Sequence, residues 1–154
     1  MSSAFTVSRA SVEQLPLVAP LYDAYRQFYE QESDLELASR FLAERLSKEE
    51  SMVLLAVDKA SGKPAGFIQL FPSFSSVAAD RIWVLNDLFV DPGFRRQGLA
   101  RALMNAAKDF AKSTGAVRMG LMTANTNTQA QALYESLGYV MDTDYRDYNL
   151  KLVD

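Results

Sequence analysis

A mixed α/β domain is the fold class that this chain predicts, and three observations carry it. Runs rich in β-branched and aromatic residues at 51–58, 65–74 and 81–90 read as strands, while apolar residues recur at helical spacing over 11–47 and again from 97 onward. Glycine and proline then punctuate the boundaries between these segments. The predicted order is strand, helix, helix, strand, strand, strand, helix, strand, helix, strand, in one domain spanning residues 1–154.

"FTVSR" at 5–9 alternates apolar and polar residues as a half-covered strand does, and Ser11 offers an N-cap for the helix that follows. Leu17, Leu21, Tyr25 and Phe28 form one stripe, and Leu35, Leu42 and Leu46 form a second, so two helices lie between about 11 and 47. "SMVLLAVD", the turn sequence "KASGKP" and "AGFIQLFPSF" form an antiparallel hairpin. "RIWVLNDLFV" at 81–90 is a further strand, stopped by Asp91-Pro92-Gly93. From Gln97, the stripe Leu99, Leu103, Ala106 and Phe110 runs to Thr114-Gly115. A short strand at 117–123, a helix over 127–137 closed by Gly138, and a last alternating strand "YRDYNLKL" at 145–152 complete the chain.

Composition narrows the chemistry. The chain contains neither cysteine nor histidine, which removes disulfides, thiolate nucleophiles, the usual general base and the commonest metal ligands, so no metal site is expected. A net charge of -3 gives no footing for nucleic acid, whose phosphates call for a basic face. No apolar run is long enough to span a bilayer, and the N-terminus lacks the pattern of a secretion signal; a cytoplasmic location is the expectation.

The chemistry concentrates in "NDLFVDPGFRRQGLAR", residues 86–101. A strand ending at Val90 followed by a helix starting near Gly98 aims unpaired backbone N–H groups at one spot, which attracts anions. Gly98 and Ala100 let a bulky diphosphate approach the main chain, and Arg95, Arg96 and Arg101 add positive charge. A helix terminus alone contributes about 0.3–2 kcal/mol, so the amides and arginines must act together. The segment is neither a Walker P-loop, which needs a lysine before serine or threonine, nor a dinucleotide fingerprint, which needs three spaced glycines.

Arg95-Arg96-Gln97-Gly98-Leu99-Ala100 resembles the R/Q-x-x-G-x-G/A signature of the GNAT family of N-acetyltransferases, placed as in that family after an apolar strand and Asp-Pro. "NTQAQALYESLGY", Asn127 to Tyr139, resembles the family's downstream motif. The resemblance implies a mostly antiparallel mixed sheet with helices on both faces, and acetyl-CoA held by its diphosphate at Arg95, Arg96, Gln97, Gly98, Leu99, Ala100 and Arg101. The pantetheine arm would run beside Leu88, Phe89 and Val90, with Asn127 and Ala130 meeting the cofactor from the other side. It further implies direct acetyl transfer to a primary amine in a ternary complex. Similar proteins are often homodimers. By spacing alone, Asn127 reads equally as the N-cap of the last helix.

Tyr134 is the candidate for stabilising the departing thiolate, a role the resemblance also gives it; read without its neighbours it is a core aromatic. Full proton donation from a phenol to that thiolate is uphill by about 2 kcal/mol, so hydrogen bonding to sulfur as charge develops is the better description. Asn86 and Asp87 interrupt an apolar strand, and strict alternation puts Asp87 on one face with Trp83, Leu85 and Phe89. Transfer of an ammonium proton to an ordinary aspartate is uphill by about 9 kcal/mol, so Asp87 serves as base only with a raised pKa or through water. Its other reading is a satisfied buried acid that orders the backbone.

The surroundings are similar to the polyamine-acetyltransferase branch, where Glu-Asp commonly stands in place of Asn86-Asp87. Phe28 and Tyr29, in the aromatic run "YDAYRQFYE" at 22–30, are candidate substrate contacts with Asn86 and Asp87; such a stripe also reads as core. The acceptor expected is a small amine: a polyamine, an amino acid or a relative. Rival readings are a protein lysine or N-terminal amine as acceptor, and a non-catalytic acyl-CoA sensor.

Overall fold

The computed structural model describes residues 3–154, and the chain divides into two compact units, one up to Met122 and the other Thr123–Asp154. The first holds five strands, β1 (Phe5–Arg9), β2 (Met52–Asp58), β3 (Pro64–Ser75), β4 (Asp80–Val90) and β5 (Arg118–Leu121), and three helices, α1 (Leu15–Phe28), α2 (Leu35–Ser47) and α3 (Leu99–Ser113). The strands lie in the order β1-β2-β3-β4-β5; every neighbouring pair is antiparallel except β4–β5, which α3 connects in parallel. The sheet is therefore mixed and mostly antiparallel, with helices on both faces, as the resemblance implies.

Local chemistry explains the boundaries. The Ser11 N–H donates to Gln14 Oε1 at 2.6 Å, closing a short 3-10 turn that leads into α1. Asp23, buried near the end of α1, accepts from Ser33 Oγ at 2.6 Å and from the Asp34 N–H at 2.8 Å, which fixes the α1–α2 turn; Asp34 in turn caps α2 through the Leu37 N–H. The Asp91 carboxylate accepts from the Gly93 N–H at 2.9 Å and turns the chain out of β4.

Val18, Ala19 and Leu21 of α1 and Leu42 of α2 pack with Val53, Leu55, Phe67 and Phe89 on one face of the sheet. The other face is covered by α3, whose buried stripe is Leu99, Leu103, Met104, Ala107 and Ala111. This stripe turns slightly from the one the sequence predicts, because Ala106 and Phe110 are only half-buried at its margin. Side chains fully buried on both faces remove apolar area from water at about 25 cal/mol per Å², the dominant stabilising contribution.

One irregularity governs the geometry of β4. Gln69 pairs with Asp87 but Leu70 pairs with Leu85, so Asn86 is an extra residue, a β-bulge. An inserted residue switches which side chains face which layer. Phe89 and Asp87 lie on the α1–α2 side, whereas the Trp83 ring meets Phe110 of α3 at 5.2 Å and its Nε1–H donates to Thr114 Oγ1 at 2.9 Å. Strict alternation, which groups Trp83 and Leu85 with Asp87, is thereby corrected: the slip at Asn86 separates them.

The second unit contains α4 (Thr128–Ser136), capped by Asn127, whose side chain accepts from the Ala130 N–H at 3.1 Å, and ended by Gly138 in the left-handed region (φ 94°). The closing strand predicted at 145–152 does not form. Tyr145, Tyr148, Leu150 and Leu152 are all more than 80% exposed, and α4 is the only helix or strand among the described residues of this unit, which leaves no sheet edge within it for a ladder. Alternation marks a segment able to pair; it supplies no partner.

Gly66 marks the closest approach of α3 to the sheet. A Cβ there would lie 2.8 Å from the Phe89 carbonyl oxygen and 3.4 Å from the Leu99 and Leu103 methyls. Gly66→Ala should therefore destabilise the protein by about 1–3 kcal/mol, read as a lower midpoint in chemical denaturation. Gly120→Ala, where a Cβ meets nothing within 4 Å, should leave the midpoint nearly unchanged.

Candidate active site

The C-terminal half of β4 has one edge paired and one edge open. The Asp91 N–H donates to Ala65 O at 2.8 Å, which sets the antiparallel alternation: Phe89 and Asp87 direct their main-chain groups toward β3, and Leu88 and Val90 direct theirs to the opposite edge. On that edge the parallel ladder with β5 runs only from Ile82 to Leu85. Up to Met122, no strand pairs with β4 beyond that point, so the main chain at Leu88 and Val90 is placed to bond an extended ligand lying alongside it. The Val90 carbonyl accepts from Arg95 Nε at 3.0 Å, and the same guanidinium lies over the Phe89 ring at 5.7 Å.

The start of α3 follows directly. Arg96 (φ 63°) and Gly98 (φ 75°) both occupy the left-handed region, bending the chain sharply before the first helical turn. The Ala102 N–H bonds back to Gly98 O, and no side chain caps the helix, so the N–H groups of Leu99 and Ala100 point out of its end without an intrahelical acceptor. No acid lies in the first turn, while Arg95, Arg96 and Arg101 are exposed around it and Gln97 is exposed in the bend. A Cβ on Gly98 would meet nothing within 4 Å, so the space beside its α-carbon is open. These residues fit a diphosphate: oriented main-chain donors, a helix dipole and three cations surround room for it.

On the α1–α2 face, Asp87 is 2% exposed and accepts hydrogen bonds from Asn86 Nδ2 at 2.8 Å and from Gln69 Nε2. Burial pushes its carboxyl above the ordinary value of 3.8, against the opposing pull of hydrogen bonds from Asn86, Gln69 and Tyr25. Asn86, exposed at the bulge, gives its main-chain oxygen to the Tyr25 hydroxyl at 3.1 Å. Burial, reinforced by the nearby Asp87 charge, raises the phenol pKa of both Tyr25 and Tyr22, so both stay protonated as donors at neutral pH. Their rings wall the site: Tyr22 stacks on Phe41 at 5.7 Å and meets Phe67 edge-on, and Tyr25 meets Phe67 and Phe89 edge-on.

Phe28 and Tyr29 are exposed at the C-terminal end of α1, where the Tyr29 ring touches Tyr25 at 5.0 Å and Phe28 at 5.2 Å. Sequence reasoning missed Gln69, Tyr22 and Tyr25. Gln69 carried a legible signal, since it is the one polar residue within the buried run of β3, as Asp87 is in β4. The two tyrosines lie in the aromatic run at 22–30, from which the sequence reading singles out Phe28 and Tyr29 instead.

In the second unit, Tyr134 is half-buried on α4 with its ring 6.1 Å from that of Tyr139, and the Tyr139 N–H bonds Tyr134 O at 3.1 Å. Burial, with Tyr134 beside it, pushes the Tyr139 phenol up to about 12. Asn127 and Ala130 meet through the cap described above, which commits the Asn127 side-chain oxygen to the helix.

Comparisons with known proteins identify the family. The description of the acetyltransferase (GNAT) family matches residues 18–139. The uncharacterized N-acetyltransferase YhfO of Bacillus subtilis (strain 168) is 43% identical over 95% of this chain and 97% of its own. A crystal structure of a probable acetyltransferase superposes with a TM-score of 0.91 at 41% identity, covering 97% of this chain and 99% of that one. The aminoglycoside N-acetyltransferase AAC(6')-Iy, solved in complex with CoA, shares the fold, with a TM-score of 0.79 at 19% identity over 99% and 98% of the two chains. The chain belongs to the acetyltransferase (GNAT) family and is an N-acetyltransferase.

Proposed function

We propose that the protein transfers the acetyl group of acetyl-CoA directly to a primary amine of a small molecule, both substrates being bound at once. The observation that carries this reading is the uncapped, glycine-led start of α3 beside the open edge of β4, an anion cradle continuous with a strand edge. The amides of Leu99 and Ala100, with Arg95, Arg96 and Arg101 around them, would hold the diphosphate, and Leu88 and Val90 the arm. Acetyl-CoA supplies an activated thioester when bound. The CoA complex of the similarly folded AAC(6')-Iy supports this choice of donor.

The chain's own residues then divide the remaining work. Asp87, buried and with a raised pKa, is a better proton acceptor than an ordinary aspartate and takes the amine's proton directly or through water. Gln69 and Asn86 fix its orientation. Tyr134 hydrogen-bonds the sulfur as negative charge develops there. Tyr25 holds the main chain of the bulge at Asn86, and Phe28 and Tyr29 form an aromatic rim for the acceptor.

Tyr134→Phe should lower kcat by about 10–10³-fold with little change in acetyl-CoA affinity, as measured by thiol release and calorimetry; unchanged kcat removes Tyr134 from the mechanism. Gly98→Val places a β-branched residue at a left-handed φ of 75°, which distorts the bend before α3, and should abolish CoA binding in a variant that still melts cooperatively, while normal affinity refutes the cradle. For Asp87, the raised pKa means that the carboxyl keeps its proton to a higher pH than a free aspartate, so activity should rise with pH through a midpoint above 3.8. Asp87→Asn should lower kcat by about 10²-fold and remove that limb of the profile.

A further inference from the structure

Arg26 stands one helical turn beyond Tyr22 on the α1 face that covers Phe67 and Phe89, and it takes no part in the contacts described so far. Its Nη1 is buried and has no hydrogen-bond partner. No ion pair among the described residues includes it; these pairs join Arg45 and Lys48 to Glu44 and Glu50. The buried acid on the same helix, Asp23, is already engaged with Gln27, Ser33 and Asp34. Buried cationic donors are ordinarily paired, so a guanidinium nitrogen without a protein acceptor, one helical turn from Tyr22, is free to take an anion from outside the chain.

The Tyr22 phenol registers the charges of both Asp87 and Arg26, the first raising its pKa and the second lowering it. Both charges therefore lie near the Tyr22 ring, which faces Phe41 and Phe67 in the wall formed by α1 and the sheet. Asn86 is an amide, so Asp87 is the one carboxylate of its hydrogen-bonded group with Gln69, Asn86 and Tyr25. Together with Arg26 that group is close to neutral. A polycation would set a second ammonium against Arg26, whereas a zwitterion matches both ends.

We propose that Arg26 binds a carboxylate of the acceptor, which makes the substrate class small amines that also carry a carboxylate, amino acids and their relatives, in preference to polyamines. This rests on the acetyl-transfer reading of the same site. The planar guanidinium anchors the carboxylate through paired N–H donors, and the amine reaches toward Asp87.

Steady-state thiol release with acetyl-CoA tests the assignment on matched sets: α-amino acids, their carboxamides, and the amines left on decarboxylation. The expected kcat/KM for the acids exceeds that for both neutralised forms by at least about tenfold. Arg26→Gln should bring that ratio toward one by raising KM for the acids, with KM for acetyl-CoA unaltered, and Arg26→Lys should retain part of the preference. Equal or faster turnover of carboxamides or diamines by the unmodified protein would overturn the inference and leave the acetyl-transfer reading standing. Absence of thiol release with every amine of the set would overturn both.

Discussion

The pairing of Gln69 with Asp87 across β3 and β4, one residue before the register slips at Asn86, is the constraint around which the site is arranged. A buried carboxylate demands hydrogen-bond partners, and this one finds them in a fully buried glutamine and the amide of the bulged residue itself. The slip also lets one strand serve two layers. Upstream of Asn86, Trp83 anchors α3; downstream, Asp87 and Phe89 face α1 and α2. Without the extra residue, the acid would share a face with Trp83, away from the tyrosines that surround it.

The same strand then leads into the second half of the site. Because β5 pairs with β4 for only four residues, the sheet opens past Leu85 on that side, and the chain leaves β4 through a tight turn into a helix whose first amides are uncommitted. Open edge and helix start are thus consecutive in sequence and adjacent in space, and both present main-chain donors. Acid and aromatic groups occupy the other face. The fold separates the open edge and helix start from the buried acid by the thickness of one strand.

Much of this was legible in the sequence. Nine of the ten predicted elements form, because apolar periodicity and glycine or proline punctuation act locally, and Gly98 before an uncapped helix with arginines around it already reads as an anion site. What was hidden depends on pairing. The bulge at Asn86 is a property of two strands together, so alternation within β4 could not reveal it, and Trp83 was grouped with the wrong face. Arg26 lies in a helix whose pattern reads simply as amphipathic; that its Nη1 is buried without a partner is visible only in the folded chain. At 145–152 the fault runs the other way: the pattern of a strand is present and the edge to receive it is absent from its unit.

The turn through Arg96 and Gly98 presents backbone rather than side chains to the space in front of α3. Every residue except proline carries the same main-chain N–H, so replacements at Leu99 and Ala100 would leave those two donors in place, whereas replacing Arg95, Arg96 or Arg101 would remove a cation beside them. The path of the chain thus sets the donors and the side chains set the charge, and at Gly98, held at φ 75°, the sharp bend itself calls for a residue without a Cβ.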